Sequence, residues 1–138
     1  MHKHTAPTTE AMTALLRGAG VRPTRPRMVL AGMLFDGMHR HITAEQLHSA
    51  AARAGHAMAL ATVYNNLHQF TEAGLLRQVV VDASKVYFDT NVGEHHHFFD
   101  THNGQLIDVP HSAAILQHLP GAPEGRVIEQ VDVIIRLR

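Results

Sequence analysis

Ala61-Thr62-Val63-Tyr64-Asn65-Asn66-Leu67-His68-Gln69-Phe70 is the stretch on which the fold of this chain turns. At helical periodicity Val63, Leu67 and Phe70 share one apolar face, while Tyr64, Asn65 and His68 fall off it. A helix that buries its aliphatic side and shows hydrogen-bonding side chains on the other, ending near Ala73-Gly74, suits a nucleic-acid groove. Just upstream, Thr43-Ala44-Glu45-Gln46 fits a capping box, Thr43 reaching forward and Gln46 reaching back, and opens a helix that stops at Gly55. Two earlier segments complete the series. Thr8 or Thr9 caps a helix running to Arg17 with Met12, Leu15 and Leu16 on its apolar side, and Thr24, with Pro26 in the first turn, caps a second carrying Val29, Leu30, Met33 and Leu34. Residues 36–41 read as a turn. Downstream, residues 76–81 and 86–88 are β-rich runs joined by Asp82-Ala83-Ser84-Lys85, a hairpin. Short helices followed by a hairpin predict a winged helix-turn-helix over residues 1–89.

Composition narrows the chemistry. The 138 residues contain no cysteine, which excludes disulfides, thiolate zinc sites and thiol catalysis. Thirteen histidines stand against two tyrosines and no tryptophan, more imidazole than packing requires. The net charge of zero hides a split: through Val80 eight Lys or Arg face four acids, and after it four bases face eight acids. A basic first half suits a polyanion; an acidic, histidine-rich second half suits cations. No apolar signal core opens the chain and no apolar run reaches membrane-spanning length, so a cytoplasmic protein without a membrane partner is expected.

The cations have an evident destination. In Glu94-His95-His96-His97-Phe98-Phe99-Asp100, an extended backbone sends His95 and His97 to one face and Glu94 and His96 to the other. Imidazole with carboxylate suits iron, manganese, zinc or nickel. The Asn103-Gly104 pair makes a hairpin of the runs on either side of it. Ser112 can cap a short helix carrying Ile115, Leu116 and Leu119, and residues 127–137 alternate as a final strand. So small an αβ unit, residues 90–138, is marginal alone and expected to pair with a second copy.

Arg22-x-Thr24-x-x-Arg27, His41-x-Thr43-Ala44-Glu45-x-Leu47, Ala61-Thr62-Val63-Tyr64, Lys85-Val86-Tyr87-Phe88-Asp89 and His95-His96-His97, in this order, resemble the ferric uptake regulator family. The resemblance implies an α+β protein: an N-terminal winged helix-turn-helix DNA-binding domain and a small C-terminal αβ dimerisation domain, assembled as a homodimer. It implies a regulatory metal site at His41, Asp89, His95, His97 and Asp108, with Asp89 in place of the usual glutamate. Glu94 and His96 would supply a second site. The family's Cys-x-x-Cys structural zinc pair falls at Asp100 and Asn103 here, so that zinc is not expected. This loss, the histidine triplet and the Asn65-Asn66 pair look most like the iron response regulator branch. That likeness implies a repressor of iron homeostasis and haem synthesis genes, responsive to a divalent metal (Fe, Mn or Zn) or to haem held by Glu94 and His95 to His97. A family sensor of zinc, manganese or nickel without a haem response is the alternative.

On DNA, the resemblance makes Thr62, Tyr64, Asn65 and Asn66 the recognition residues, with Asn side chains suited to adenine edges. Arg22 is placed to reach a narrow minor groove, and Arg25, Arg27 and Arg77 to meet phosphates, on a palindromic A·T-rich double-stranded operator. An enzyme is not expected: the chain lacks a glycine-rich phosphate loop, a His-Glu-x-x-His and a serine nucleophile motif. A metal carrier would leave the capped helices and basic first half unexplained.

Overall fold

The computed structural model describes residues 7–93, 95–110 and 117–138. Glu94 and most of the helix expected from Ser112 lie outside them. The chain divides into two compact units, Met1–Val92 and Gly93–Arg138.

In the first unit three of the four helices begin where a side chain takes up an orphan backbone N–H. Helix α1 (Thr9–Gly18) is capped by Thr8, whose Oγ1 accepts from Ala11 N at 3.1 Å. Helix α2 (Arg25–Leu34) is capped by Thr24 with a proline in its first turn. The strand β1 (His41–Ile42) leads into α3 (Ala44–Arg53), whose capping box has both arms: Gln46 N donates to Thr43 Oγ1 at 3.1 Å and Thr43 N to Gln46 Oε1 at 3.0 Å. Helix α4 (Leu60–Glu72) has no side-chain cap. Its chain leaves through Gly74 at φ 79°, a left-handed turn that a Cβ would strain.

The apolar faces meet in one cluster. Leu16, Leu30, Leu34, Val63, Leu67, Phe70 and Phe88 have no exposed surface. Strands β2 (Arg77–Asp82) and β3 (Lys85–Asp89) form the expected hairpin, its turn held by Ser84 N donating to Asp82 Oδ1 at 2.8 Å. The sheet order is β1-β3-β2, with His41 opposite Asp89. His41 is therefore a strand residue and not the end of a turn, because β3 offers a free edge to it. Residues 90–92 are tied to the loop before β1, where Arg40 N donates to Thr90 Oγ1 at 2.9 Å and Thr90 N to Arg40 O at 3.1 Å.

The second unit has β4 (His97–Asp100), β5 (Leu106–Asp108) and β6 (Ile134–Leu137) in the order β5-β4-β6. β4 and β5 are antiparallel around Gly104 (φ 71°), whose N–H donates to Asp100 O at 2.8 Å. β6 runs parallel to β4. The final strand is much shorter than the alternation of residues 127–137 predicts. Its four ladder positions match the four of β4, and upstream of them Val127 is 90% exposed. Alternation marks what a strand would bury, but a ladder extends only as far as its partner. Among the described residues no helix is long and apolar enough to cross a membrane.

Candidate functional site

The second unit gathers three metal-donor side chains. β4 and β5 place His97 opposite Asp108, and period two returns His95 to the same side. His95 Nε2 lies 3.5 Å and His97 Nε2 3.3 Å from Asp108 Oδ1, with the two rings 4.5 Å apart. His95 Nδ1 is 2.6 Å from Gly93 O. A carbonyl only accepts, so in the neutral ring the proton sits on Nδ1 and Nε2 keeps its lone pair for a cation.

The first unit contributes a donor pair of its own. His41 Nε2 lies 3.2 Å from Asp89 Oδ2, and the Asp89 side chain has no exposed surface. Asp89 Oδ1 accepts from Asn91 N at 2.8 Å, which fixes the carboxylate and leaves Oδ2 toward the imidazole. His41 is held from the preceding loop, where Arg40 Nη2 pairs with Asp36 and Met38 N donates to Asp36 Oδ1 at 3.1 Å. Asp36, Arg40, Asn91 and the Gly93 carbonyl are the supporting groups that motif reading missed. Only their closeness to the ligands in sequence pointed to them. Imidazole and carboxylate without thiolate fit a borderline or hard divalent metal.

Of the opposite face of the histidine run, the described residues include His96 but not Glu94. His96 is buried, and its Nδ1 accepts from Val133 N at 3.0 Å, so that nitrogen holds β6 instead of a ligand. Asp100 and Asn103, where a zinc pair would fall, serve the hairpin: Asp100 Oδ1 accepts from His102 N at 2.9 Å and Asn103 Oδ1 from Gln105 N at 2.9 Å.

On the helix-turn-helix, α3, α4 and the connection between them leave Arg53, His56, Asn65, His68 and Gln69 exposed, with Thr62 and Tyr64 half-buried. Arg22 and Arg25 are exposed on the approach to α2. Tyr64 Oη donates to Glu45 Oε1 at 2.5 Å and its ring stacks on His68. That hydrogen bond pushes the phenol above its ordinary pKa and holds the Glu45 carboxyl below its own. Three expected DNA contacts are placed elsewhere. Asn66 is buried, its Oδ1 taken by Arg27 Nε and its Nδ2 by Thr62 O. Arg27 spends a second donor on Arg22 O. Arg77 is buried on β2, in register with Asp89. Helical periodicity put Asn66 beside Asn65, but its 3.6-residue phase falls with Val63 and Phe70, and the apolar stripe was drawn without it.

Over residues 18–134 the chain matches the ferric uptake regulator family. It belongs to that family. Its members are metal-responsive transcription regulators that bind DNA as dimers and are not enzymes. The chain is 36% identical over 94 residues to the ferric uptake regulation protein of Pseudomonas aeruginosa, covering 67% of this chain and 70% of that one. It is 32% identical over 99 residues to the peroxide-responsive repressor PerR of Staphylococcus aureus, covering 72% of this chain and 66% of the repressor. The structure of the Pseudomonas aeruginosa regulator with manganese superposes with a TM-score of 0.69 at 28% identity, over 92% of this chain and 96% of that one. The winged helix-turn-helix and the small αβ unit expected from the sequence are thus the family's fold.

Proposed function

We propose that this protein is a homodimeric, DNA-binding transcriptional repressor whose operator affinity is set by a divalent transition metal at His41, Asp89, His95, His97 and Asp108. The observation that carries the reading is the convergence of His95 Nε2 and His97 Nε2 on Asp108 Oδ1 in a chain of this family. A metal that also takes His41 and Asp89 would join donors from both units and favour one angle between them. In a dimer that angle sets the spacing of two recognition helices against the half-sites of a palindromic, A·T-rich operator. Iron, manganese and zinc all suit the donor set, since affinity alone does not choose among them. Iron homeostasis is our leading assignment for the regulated genes. The Staphylococcus aureus relative is named for a peroxide response. Carried to this chain, that response predicts operator release on exposure to peroxide.

The finer reading, an iron response regulator of haem synthesis with haem on His95 to His97, competes for the same imidazoles. His96 and His97 are each 1% exposed, and a porphyrin there would have to release β6 from His96. The burial favours the metal.

The experiment is metal titration of stripped protein with operator affinity as the readout. Affinity is expected to rise at least about tenfold at stoichiometric metal and to fall steeply with salt, roughly 0.9 log unit per log unit of salt for each phosphate neutralised. His97→Ala should abolish the metal dependence. Equal affinity with and without metal, or a binding constant that barely moves with salt, would sink the proposal; a haem titration that releases operator at unchanged metal content would move it to the haem branch.

A further inference from the structure

Arg27 and Asn66 look, by residue type, like DNA contacts, yet Asn66 is buried and the half-buried Arg27 directs Nε to it and Nη1 to a backbone carbonyl. Arg27 sits in the first turn of α2 and Asn66 in the middle of α4. Arg27 Nε donates to Asn66 Oδ1 at 3.0 Å, and Arg27 Nη1 donates to Arg22 O at 3.0 Å. Asn66 Nδ2 donates to Thr62 O at 2.8 Å, one turn back along α4. Asn66 is 8% exposed, so its amide is out of reach of a base edge. One guanidinium thus ties together the backbone before α2, where the exposed Arg22 is carried, and α4, where Thr62 and the exposed Asn65 are carried.

We propose that Arg27 and Asn66 are positioning residues for operator reading: their link sets the minor-groove arginine, Arg22, in register with the major-groove residues of α4, and neither side chain touches DNA. This rests on the DNA-binding reading above. The planar fork is what makes the link specific. Arg presents Nε–H and Nη–H in fixed directions to two acceptors at once, whereas a lysine ammonium supplies one point charge without that geometry. The buried amide of Asn66 accepts with its oxygen and donates with its nitrogen, so its orientation follows from its two partners.

The two roles leave different marks on binding. A phosphate contact adds affinity on every sequence, and its removal lowers the salt slope by about one. A positioning link adds affinity only on the operator, so its loss lowers the ratio of operator to non-specific affinity and leaves non-specific affinity and the salt slope where they were. General destabilisation would instead lower both affinities together, in proportion to the folded fraction.

The test uses the metal-loaded full-length protein on operator and scrambled duplexes, well below its melting temperature, with Arg27→Ala, Arg27→Lys, Asn66→Ala, Asn66→Asp and the Arg27→Ala/Asn66→Ala double variant. Arg27→Ala, Arg27→Lys and Asn66→Ala are each expected to lose about tenfold in operator affinity with the salt slope unchanged. The double variant should lose little more than either single, because both break one link. Asn66→Asp keeps the acceptor for Arg27 but sets a carboxylate oxygen against Thr62 O, so it too should lose operator affinity with the salt slope unchanged. A salt slope lowered by about one in Arg27→Ala, full rescue by Arg27→Lys, or additive losses in the double variant would overturn the inference while leaving the regulator reading intact. Wild-type protein that binds both duplexes equally would overturn both.

Discussion

Among the described residues of the first unit the side chains that lose all exposure are apolar, Phe70, Phe88 and leucines gathered from α1, α2 and α4 among them, with Asp89 the charged exception; among those of the second, the most deeply buried are His96 and His97. Among its described residues the second sheet buries only Phe99 and Leu106 as apolar side chains. The first unit is therefore held by area removed from water, roughly 25 cal/mol per Å². The second depends on polar clamps. His96 receives the Val133 N–H, and Leu137 O accepts from both Thr101 N at 3.1 Å and Thr101 Oγ1 at 2.8 Å, so β6 is fastened at each end. A unit built in this way makes the state of its imidazoles matter to its stability.

That contrast can be broken by substitution on either side. Phe70→Ala, in the apolar cluster of the first unit, should cost about 4 kcal/mol in denaturant unfolding, with or without metal. A loss under about 1 kcal/mol would mean that the cluster is not what holds this unit. Metal removal should act through the proposed donor set instead: a ligand present at about 100 times its Kd contributes ~2.7 kcal/mol to the state that binds it. Chelation should lower the melting temperature of wild type and leave that of His97→Ala unchanged. His96→Ala strands the Val133 N–H and should cost about 1–3 kcal/mol while sparing metal binding, read by amide exchange at residues 133–137 and by metal titration. Lost metal affinity in His96→Ala would put His96 back among the ligands.

The smallest effect concerns Tyr64 and Glu45. The folded pKa of Glu45 is lowered, so its share of their bond is present above the unfolded carboxyl value and lost as pH falls through the folded one. The folded pKa of Tyr64 is raised, so its share is present below the ordinary phenol value and lost as pH rises through the folded one. Tyr87 is also raised, by burial first and then by Asp82. Both phenolates should therefore appear only above the ordinary value of about 10 in an absorbance titration, and Glu45→Gln should bring one of them back. An unchanged titration in Glu45→Gln would remove the bond from the account.

What could be read in advance follows the same division. Caps, helical stripes and the hairpin at Asp82 to Lys85 are local signals, and period two was enough to put His95 and His97 on one face. The inward turn of Asn66 and Arg27 was not legible, because an amide on a helix reads as exposed until a guanidinium from another helix is found beside it. Nor was the shortness of β6, which is set by the length of β4 and not by its own alternation. The Asp36–Arg40 clamp behind His41 sits in a stretch without periodicity, where only the folded loop shows the pairing.

Metal content tests most directly whether one metal draws on His41 and Asp89 as well as on His95, His97 and Asp108, as proposed. Stripped wild-type protein, His41→Ala and His97→Ala would be titrated with manganese and the bound metal counted per chain after gel filtration. About one tightly held metal is expected per wild-type chain, with affinity lower in each variant by at least the ~10–100-fold typical of lost supporting groups and operator binding lost in parallel. Full metal affinity in His41→Ala would contradict the proposal, and would confine the site to His95, His97 and Asp108.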